Sequence, residues 1–288
     1  MRFSAVSAFV ALGVVALIAC SSEQAATSSP SPAPADTVDP GDGPGPVDPG
    51  EETTTDGGKP TKDSGPTTDA NVAPGDILGT LTGSCGLVKT YLTSTTSAYV
   101  KNALEFKTGD VYDKSTLSDD GDTIYDTPNA GGSSGESEIM SFEVLRACEG
   151  AKLVKTETEI LYSPPDDAGP SSITDILVSI NNTKIGVSVT RVYKPSNQTL
   201  TDNDVKDLLV KKLEGINRSS VRVLPADKWK KQILSIWTAN KAATDAVDRV
   251  VPTLDASLKA DTIILLTQAK GGGFIFCNPD PALGSECP

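Results

Sequence analysis

SITDILVSINNTKIGVSVTRVY, residues 172–193, reads as two adjacent strands joined by a tight polar turn, and the rest of the chain can be arranged around it. Branched and apolar residues fill both halves, and Asn181-Asn182 between them tolerate the positive φ that a tight turn requires. One acid, Asp175, stands near the start of the first strand. Upstream, ESEIMSFEVLRACEG (136–150) spreads Ile139, Met140, Phe142, Val144, Leu145 and Cys148 at helical spacing and stops at Gly150. AKLVKTETEILY (151–162) then alternates as a strand and ends in a Pro/Asp/Gly loop. Downstream, Thr201-Asp202-Asn203-Asp204 caps a helix that carries Val205, Leu208, Leu209 and Leu213 and ends at Gly215. QILSIWTA (232–239) and DTIILLTQA (261–269) are buried-looking strands flanking a helix over 241–259, and FIF (274–276) is a short last strand. Residues 86–107 are expected to form a helix, and the Asp/Gly/Ser-rich stretch 108–135 a polar loop. The predicted order is helix, three strands, helix, strand, helix, strand, which is an α/β domain with a central sheet flanked by helices.

The two ends of the chain carry other signals. Residues 1–20 hold one charge, Arg2, then an apolar run from Phe9 to Ile18 and small residues before Cys20, the layout of a secretory signal. That run is too short to span a bilayer, which takes about 20 apolar residues. Leu17-Ile18-Ala19-Cys20 resembles the lipobox of bacterial lipoproteins, which implies a signal peptide over 1–20 and a palmitate-type lipid anchor on Cys20. Ser21 and Ser22 follow, with no aspartate, which by resemblance to the sorting rule of enteric bacteria implies the outer membrane of the cell envelope. Residues 21–75 are rich in Pro, Gly, Ser, Thr and Asp and lack the apolar surface to fold, so they read as a disordered tether. Ten acids against Lys59 and Lys62 give that tether 2 − 10 = −8 of the total charge of −13. Residues 76–288, with Arg2 counted separately, carry −13 + 8 − 1 = −6, an acidity that disfavours a nucleic-acid partner without excluding one.

Residues 76–288 suffice for one sizeable domain. Cys85, Cys148, Cys277 and Cys287 remain after Cys20, an even number in an oxidising envelope, allowing up to two disulfides. The turn chemistry of NPDPALGSE favours Cys277 with Cys287, leaving Cys85 for Cys148; the alternative for Cys148 is a buried thiol on a helix. The chain has no histidine, which removes Ser-His-Asp and Cys-His catalysis and His-ligated zinc. The cysteines lack the CxxC spacing of a zinc site, and no phosphate-binding glycine loop is present. Carboxylates, lysine or arginine, hydroxyls and a hard oxygen-bound metal such as magnesium are the chemistry left.

The element order, with Asp175 on the second strand, resembles the PD-(D/E)XK, or restriction-endonuclease-like, superfamily, whose core is a helix, a three-strand meander, a helix and a further strand. SEIMSFEVL, TETEI, TDILVSI, GVSVTR and LLVKKLEGI together look like an uncharacterised nuclease-like family also found in fungi, over residues 136–276. The resemblance implies an acid on the second strand and an acid-x-lysine pair on the third, holding one or two magnesium ions. Asp175 matches the first acid. The third strand offers Ser188-Val189-Thr190 where the acid and the lysine are expected, and two neutral hydroxyls replace neither. Glu138 or Glu143 on the helix, or Glu157 or Glu159 on the first strand, would have to complete a magnesium set with Asp175, and Arg191 would clamp a phosphate. The bland readings are a strand-entry cap for Asp175, a solvated helix face for Glu138, Glu143 and Lys211-Lys212, and a surface pair for Arg191. Trp237 reads as core, and Trp229 as packing at the domain edge.

Two function classes follow. One is a non-catalytic envelope lipoprotein, tied to the lipid bilayer by Cys20, whose degenerate nuclease-like domain binds an unknown macromolecular partner. The other is a metal-dependent phosphodiesterase or nuclease with Asp175 and a helix glutamate on magnesium.

Overall fold

The computed structural model describes residues 75–128, 135–164, 172–194 and 197–277. The expected signal peptide, the tether up to residue 74 and Cys287 lie outside the described residues. In chain order the elements are β1 (Thr80–Gly83), α1 (Leu87–Tyr91), β2 (Ala98–Glu105), α2 (Asp119–Asp126), α3 (Gly135–Glu149), β3 (Lys152–Thr156), β4 (Ile176–Ile180), β5 (Thr183–Val192), α4 (Asp202–Arg222), β6 (Lys231–Thr238), α5 (Lys241–Val250), α6 (Ala256–Lys259) and β7 (Ile263–Lys270). Short 3-10 turns add Lys114–Thr116, Glu157–Glu159, Val251–Thr253 and Gly273–Phe276.

The hairpin turns where its sequence places the turn: Asn181 and Asn182 both take left-handed backbone, with φ of 49° and 59°. The strands form one mixed sheet in the order β1-β2-β7-β6-β5-β4-β3. β3, β4 and β5 are an antiparallel meander, and β5, β6, β7 and β2 run parallel. The helix α3, the meander, α4 and β6 therefore follow one another as the resemblance implies, within an α/β fold whose mixed sheet is flanked by helices.

Both faces of the sheet are covered, so its central strands are apolar almost throughout. Every residue of β6 is buried. Its Ile233 and Trp237 enter a core with Met140, Phe142 and Leu145 of α3, while Leu234 and Ile236 enter a second core with Val205, Leu209 and Leu213 of α4 and Val247 of α5. Trp237 Nε1 donates to Ser137 O at 3.0 Å and to Ser141 Oγ at 2.8 Å, and Ser141 Oγ bonds Ser235 Oγ at 2.9 Å. These bonds fix the start of α3 against the middle of the sheet. α4 begins with a reciprocal cap: Thr201 accepts from Asp204 N, and the Asp204 carboxylate takes Thr201 N at 2.9 Å.

Several expectations are corrected. Residues 98–105 form β2, not the second half of a helix, because Ala98, Val100, Asn102 and Leu104 are buried and alternate with less buried neighbours on the other face, a period of two. β1 adds a further strand against it. The 108–135 stretch contains α2, whose N-cap Ser118 accepts from Gly121 N. The 151–162 strand ends at Thr156, where Glu159 takes Thr156 N at 2.9 Å and closes a turn. α4 runs through Gly215 to Arg222, because Ile216 and Ser219 continue its buried stripe. The 241–259 helix breaks at Pro252 into α5, a 3-10 turn and α6, and residues 274–276 form a 3-10 turn rather than a strand.

Candidate functional site

Asp175 stands one residue before β4, where the chain bends, and its N–H still donates to Val187 O at 3.1 Å. Beyond it β4 no longer covers β5, which would leave the Val189 N–H without a strand partner. The Asp175 carboxylate supplies one: Oδ2 accepts from Val189 N at 2.7 Å and from Ser188 Oγ at 2.9 Å. At the carbonyl of the same residue, on the same strand edge, Lys212 Nζ of α4 donates to Val189 O at 2.9 Å. An acid and an ammonium thus take the N–H and the C=O of one residue, Val189, along one edge of β5. Lys212, expected on a solvated helix side, is drawn in by this bond, while Lys211 is exposed.

Tyr162 closes the site. Its hydroxyl accepts from Thr174 N at 2.9 Å, the Arg222 guanidinium lies over its ring, and Thr174 Oγ1 bonds Ser219 Oγ at 2.9 Å. Burial pushes the Tyr162 hydroxyl up from its ordinary value against the Thr174 hydrogen bonds, and the charges of Asp175 and Glu157 push the same way. Ser188 and Thr190 are both buried.

The other site residues expected from sequence are dispersed. Glu143 is 2% exposed and serves α2: Oε1 accepts from Ser118 N at 2.9 Å and Ser118 Oγ at 2.6 Å, and Oε2 takes Arg146. Arg191 alternates with Ser188 and Thr190 and so points to the opposite face of β5. There its guanidinium donates to Cys277 O at 3.2 Å and Ile275 O at 3.4 Å and lies beside the Tyr193 ring. Glu138 is buried in the first half of α3, with its polar interactions made. Glu159 folds back on Thr156. Among the described residues no group of three or more acids and cysteines is placed to hold a metal ion.

The cysteines behave differently. Cys85 and Cys148 form a disulfide, joining the loop before α1 to the end of α3. Cys277 is also disulfide-bonded. Next to Cys148, the buried Glu149 carboxylate accepts from Gly86 N at 2.9 Å and Lys89 N at 3.2 Å, so covalent and polar links meet at the start of α1. Burial raises that carboxyl against these N–H donors. Sequence reasoning missed Glu149, Lys231 and Asp227. Lys231, 1% exposed, donates to Ser94 O at 2.8 Å and Thr96 O at 3.0 Å. Asp227, 2% exposed, pairs with Lys155 at 2.8 Å and accepts from Leu161 N at 2.9 Å. A charge beside a strand end carries no pattern in the sequence, so nothing flagged them.

The fold and site define an α/β protein with a mixed seven-stranded sheet in which an acid-bearing hairpin lies between the central β6 and the edge strand β3. No family model matches the chain. A Dictyostelium discoideum protein described as AAC-rich mRNA clone AAC4 protein is 42% identical over 167 residues. That stretch is 56% of this chain and 24% of the other, so the chain spans about a quarter of that relative's length. The structure of Pyrococcus furiosus SfsA in complex with Ca2+ overlaps 47% of this chain and 56% of its own at 14% identity, with a TM-score of 0.23, too slight to argue from. Among the described residues no helix is long and apolar enough to cross a membrane.

Proposed function

We propose that the protein is a lipoprotein of the bacterial envelope whose nuclease-like domain no longer cleaves and instead binds another molecule. The observation that carries this is the engagement of Asp175. The one acid that matches the superfamily pattern terminates the β4–β5 ladder on Ser188 and Val189, and Glu143 and Arg191 anchor other segments. Each has a structural task that catalysis would disturb. A divalent ion sharing Asp175 would compete with the Val189 N–H, and hydroxyls at Ser188 and Thr190 add no charge to hold it.

The alternative, a magnesium-dependent phosphodiesterase, draws on Lys212. Its ammonium reaches the same residue of β5 as Asp175, which would give the site a positive group although Thr190 stands at the strand position.

Calorimetric titration of magnesium and manganese into the chain and its Asp175→Ala variant, with and without duplex DNA, separates the two. The binding reading expects no saturable metal uptake by either. It also expects Asp175→Ala to be about 1–3 kcal/mol less stable in urea, because a buried N–H and a hydroxyl lose their acceptor. Metal binding abolished by Asp175→Ala, together with phosphodiester hydrolysis, overturns it. The lipid anchor is tested by mass spectrometry of membrane-purified chain: an acylated Cys20 at the N-terminus is expected, and retention of residues 1–19 overturns that part.

A further inference from the structure

Four lysines gather at the hairpin-turn end of the sheet. Lys152 of β3 pairs across β4 residue Ser179 with Lys184 of β5, and Lys230 N donates to Lys184 O at 3.2 Å. Lys228 lies in the loop leading into β6, with its Nζ on Ser220 O, and Lys184 Nζ reaches Ala226 O at 2.6 Å. Lys152, Lys228 and Lys230 are exposed, and among the described residues none of the four pairs with a carboxylate. Of the acids near them, Asp227 is buried and paired with Lys155 while also lying within the charge of Lys184, and Asp120 takes Leu153 N at 3.0 Å beside Lys152. In a domain whose formal charge is −6, four ammonium groups outside any direct carboxylate ion pair gather on one end, where cationic groups outnumber the acids beside them.

The loop that presents Lys228 and Lys230 is pinned by packing. Trp229, between Lys228 and Lys230, is 6% exposed and lies flat against Gly186 of β5, where even a single added carbon would meet the indole at 2.7 Å. Its Nε1 donates to Ser220 Oγ at 2.8 Å. With the indole inward, the two flanking lysines face out. Two large apolar side chains border the same loop. Val221, next to Ser220, is 80% exposed, and Leu161, whose N–H is held by Asp227, is 51% exposed.

We infer that this end of the domain docks on an anionic phospholipid surface, with Lys152, Lys184, Lys228 and Lys230 over the phosphates and Val221 and Leu161 entering the headgroup layer. Lysines beside exposed aliphatic groups suit a bilayer surface, which offers negative charge with an apolar layer beneath it. A nucleic-acid strand would instead be met by exposed aromatic or arginine groups, and the one aromatic residue of the loop is turned inward. The inference rests on the binding reading above and names its partner.

The test uses the mature chain from Ser21 onward, so that neither acylation nor the apolar run before Cys20 contributes, in flotation with vesicles rich in phosphatidylglycerol against vesicles of phosphatidylcholine alone. Binding only to the anionic vesicles, weakened by salt, is expected. Each lysine near such a surface is worth about fivefold in affinity, so Lys228→Glu/Lys230→Glu should lose more than about tenfold. Lys152→Glu, on a solvent-facing strand position, should lose a smaller factor, and Val221→Ser should weaken binding without changing its salt dependence. Circular dichroism confirms that each variant is folded. No binding to anionic vesicles overturns the inference, as does binding that the three lysine substitutions leave unchanged. Capture of duplex DNA in place of vesicles overturns it and assigns the patch to phosphodiesters. Metal-dependent cleavage with intact vesicle docking would instead remove the non-catalytic reading alone.

Discussion

Burial alone would raise the Asp227 carboxyl, but the Lys155 ammonium bonded to it, the Leu161 N–H and the charge of Lys184 together hold it below the ordinary value. Because the folded value is depressed, the stabilisation is present above the unfolded value of 3.8 and is lost as pH falls through the lower folded value. Asp227→Asn should therefore be less stable than the parent chain at neutral pH, by about 1–3 kcal/mol for the broken buried pair. The gap should narrow as the pH drops below that window, and urea unfolding midpoints measured across acid pH check it. Asp175 shows how far single residues could be read from sequence. Its place at a strand entrance was legible. Its partner was not, because the Val189 N–H becomes available only where the β4 ladder stops, and that depends on the bend at residue 175.

Among the elements, the hairpin, α3, β6 and β7 were legible because each has a strong periodic signal or an unmistakable turn pair. β2 was not, since Tyr99, Lys101 and Glu105 alternate with small and apolar residues in a stretch that also fits a mixed helical pattern. Its strand character comes from the parallel neighbour β7, which lies far along the chain. The extension of α4 past Gly215 has a similar cause: the glycine lies against Ser172, and tertiary burial of Ile216 overrides its helix-ending tendency. Gly186 is the position in β5 where an element depends on having no side chain. Gly186→Ala pushes a carbon into the Trp229 indole, and overpacking of this kind costs about 1–3 kcal/mol. A red shift of the tryptophan emission together with a lower urea midpoint is the expected result, and an unchanged spectrum would show that the loop before β6 yields freely.

For the whole molecule, the Cys85–Cys148 disulfide encloses a sequence separation of 63 residues, including β2 and most of α3. In the chain-entropy account a loop of that size contributes about 4 kcal/mol by restricting the unfolded chain. Reduction should lower the thermal midpoint of the chain, and Cys85→Ala/Cys148→Ala should reproduce the loss and make it insensitive to reductant. Sequence reasoning reached the fold class from the order of the elements, and this pairing from the turn chemistry that set Cys277 with Cys287 and left Cys85 for Cys148. The distribution of Glu138, Glu143, Asp175 and Arg191 over separate networks was beyond it, since strand parity and helix placement had to be known first.

The parallel pairing of β2 with β7 sets Ala98 beside Ile263. During synthesis the N-terminal strand pair must therefore wait, unpaired on its inner edge, until almost all of the described chain has emerged. The meander and α4 can gather earlier from neighbouring sequence, so the last event of maturation is the capture of the first strands by the last one. Closure of a loop that long is slow compared with local pairing. Protease resistance of the first strands is therefore expected to appear only once β7 has docked, and pulse proteolysis during refolding checks it.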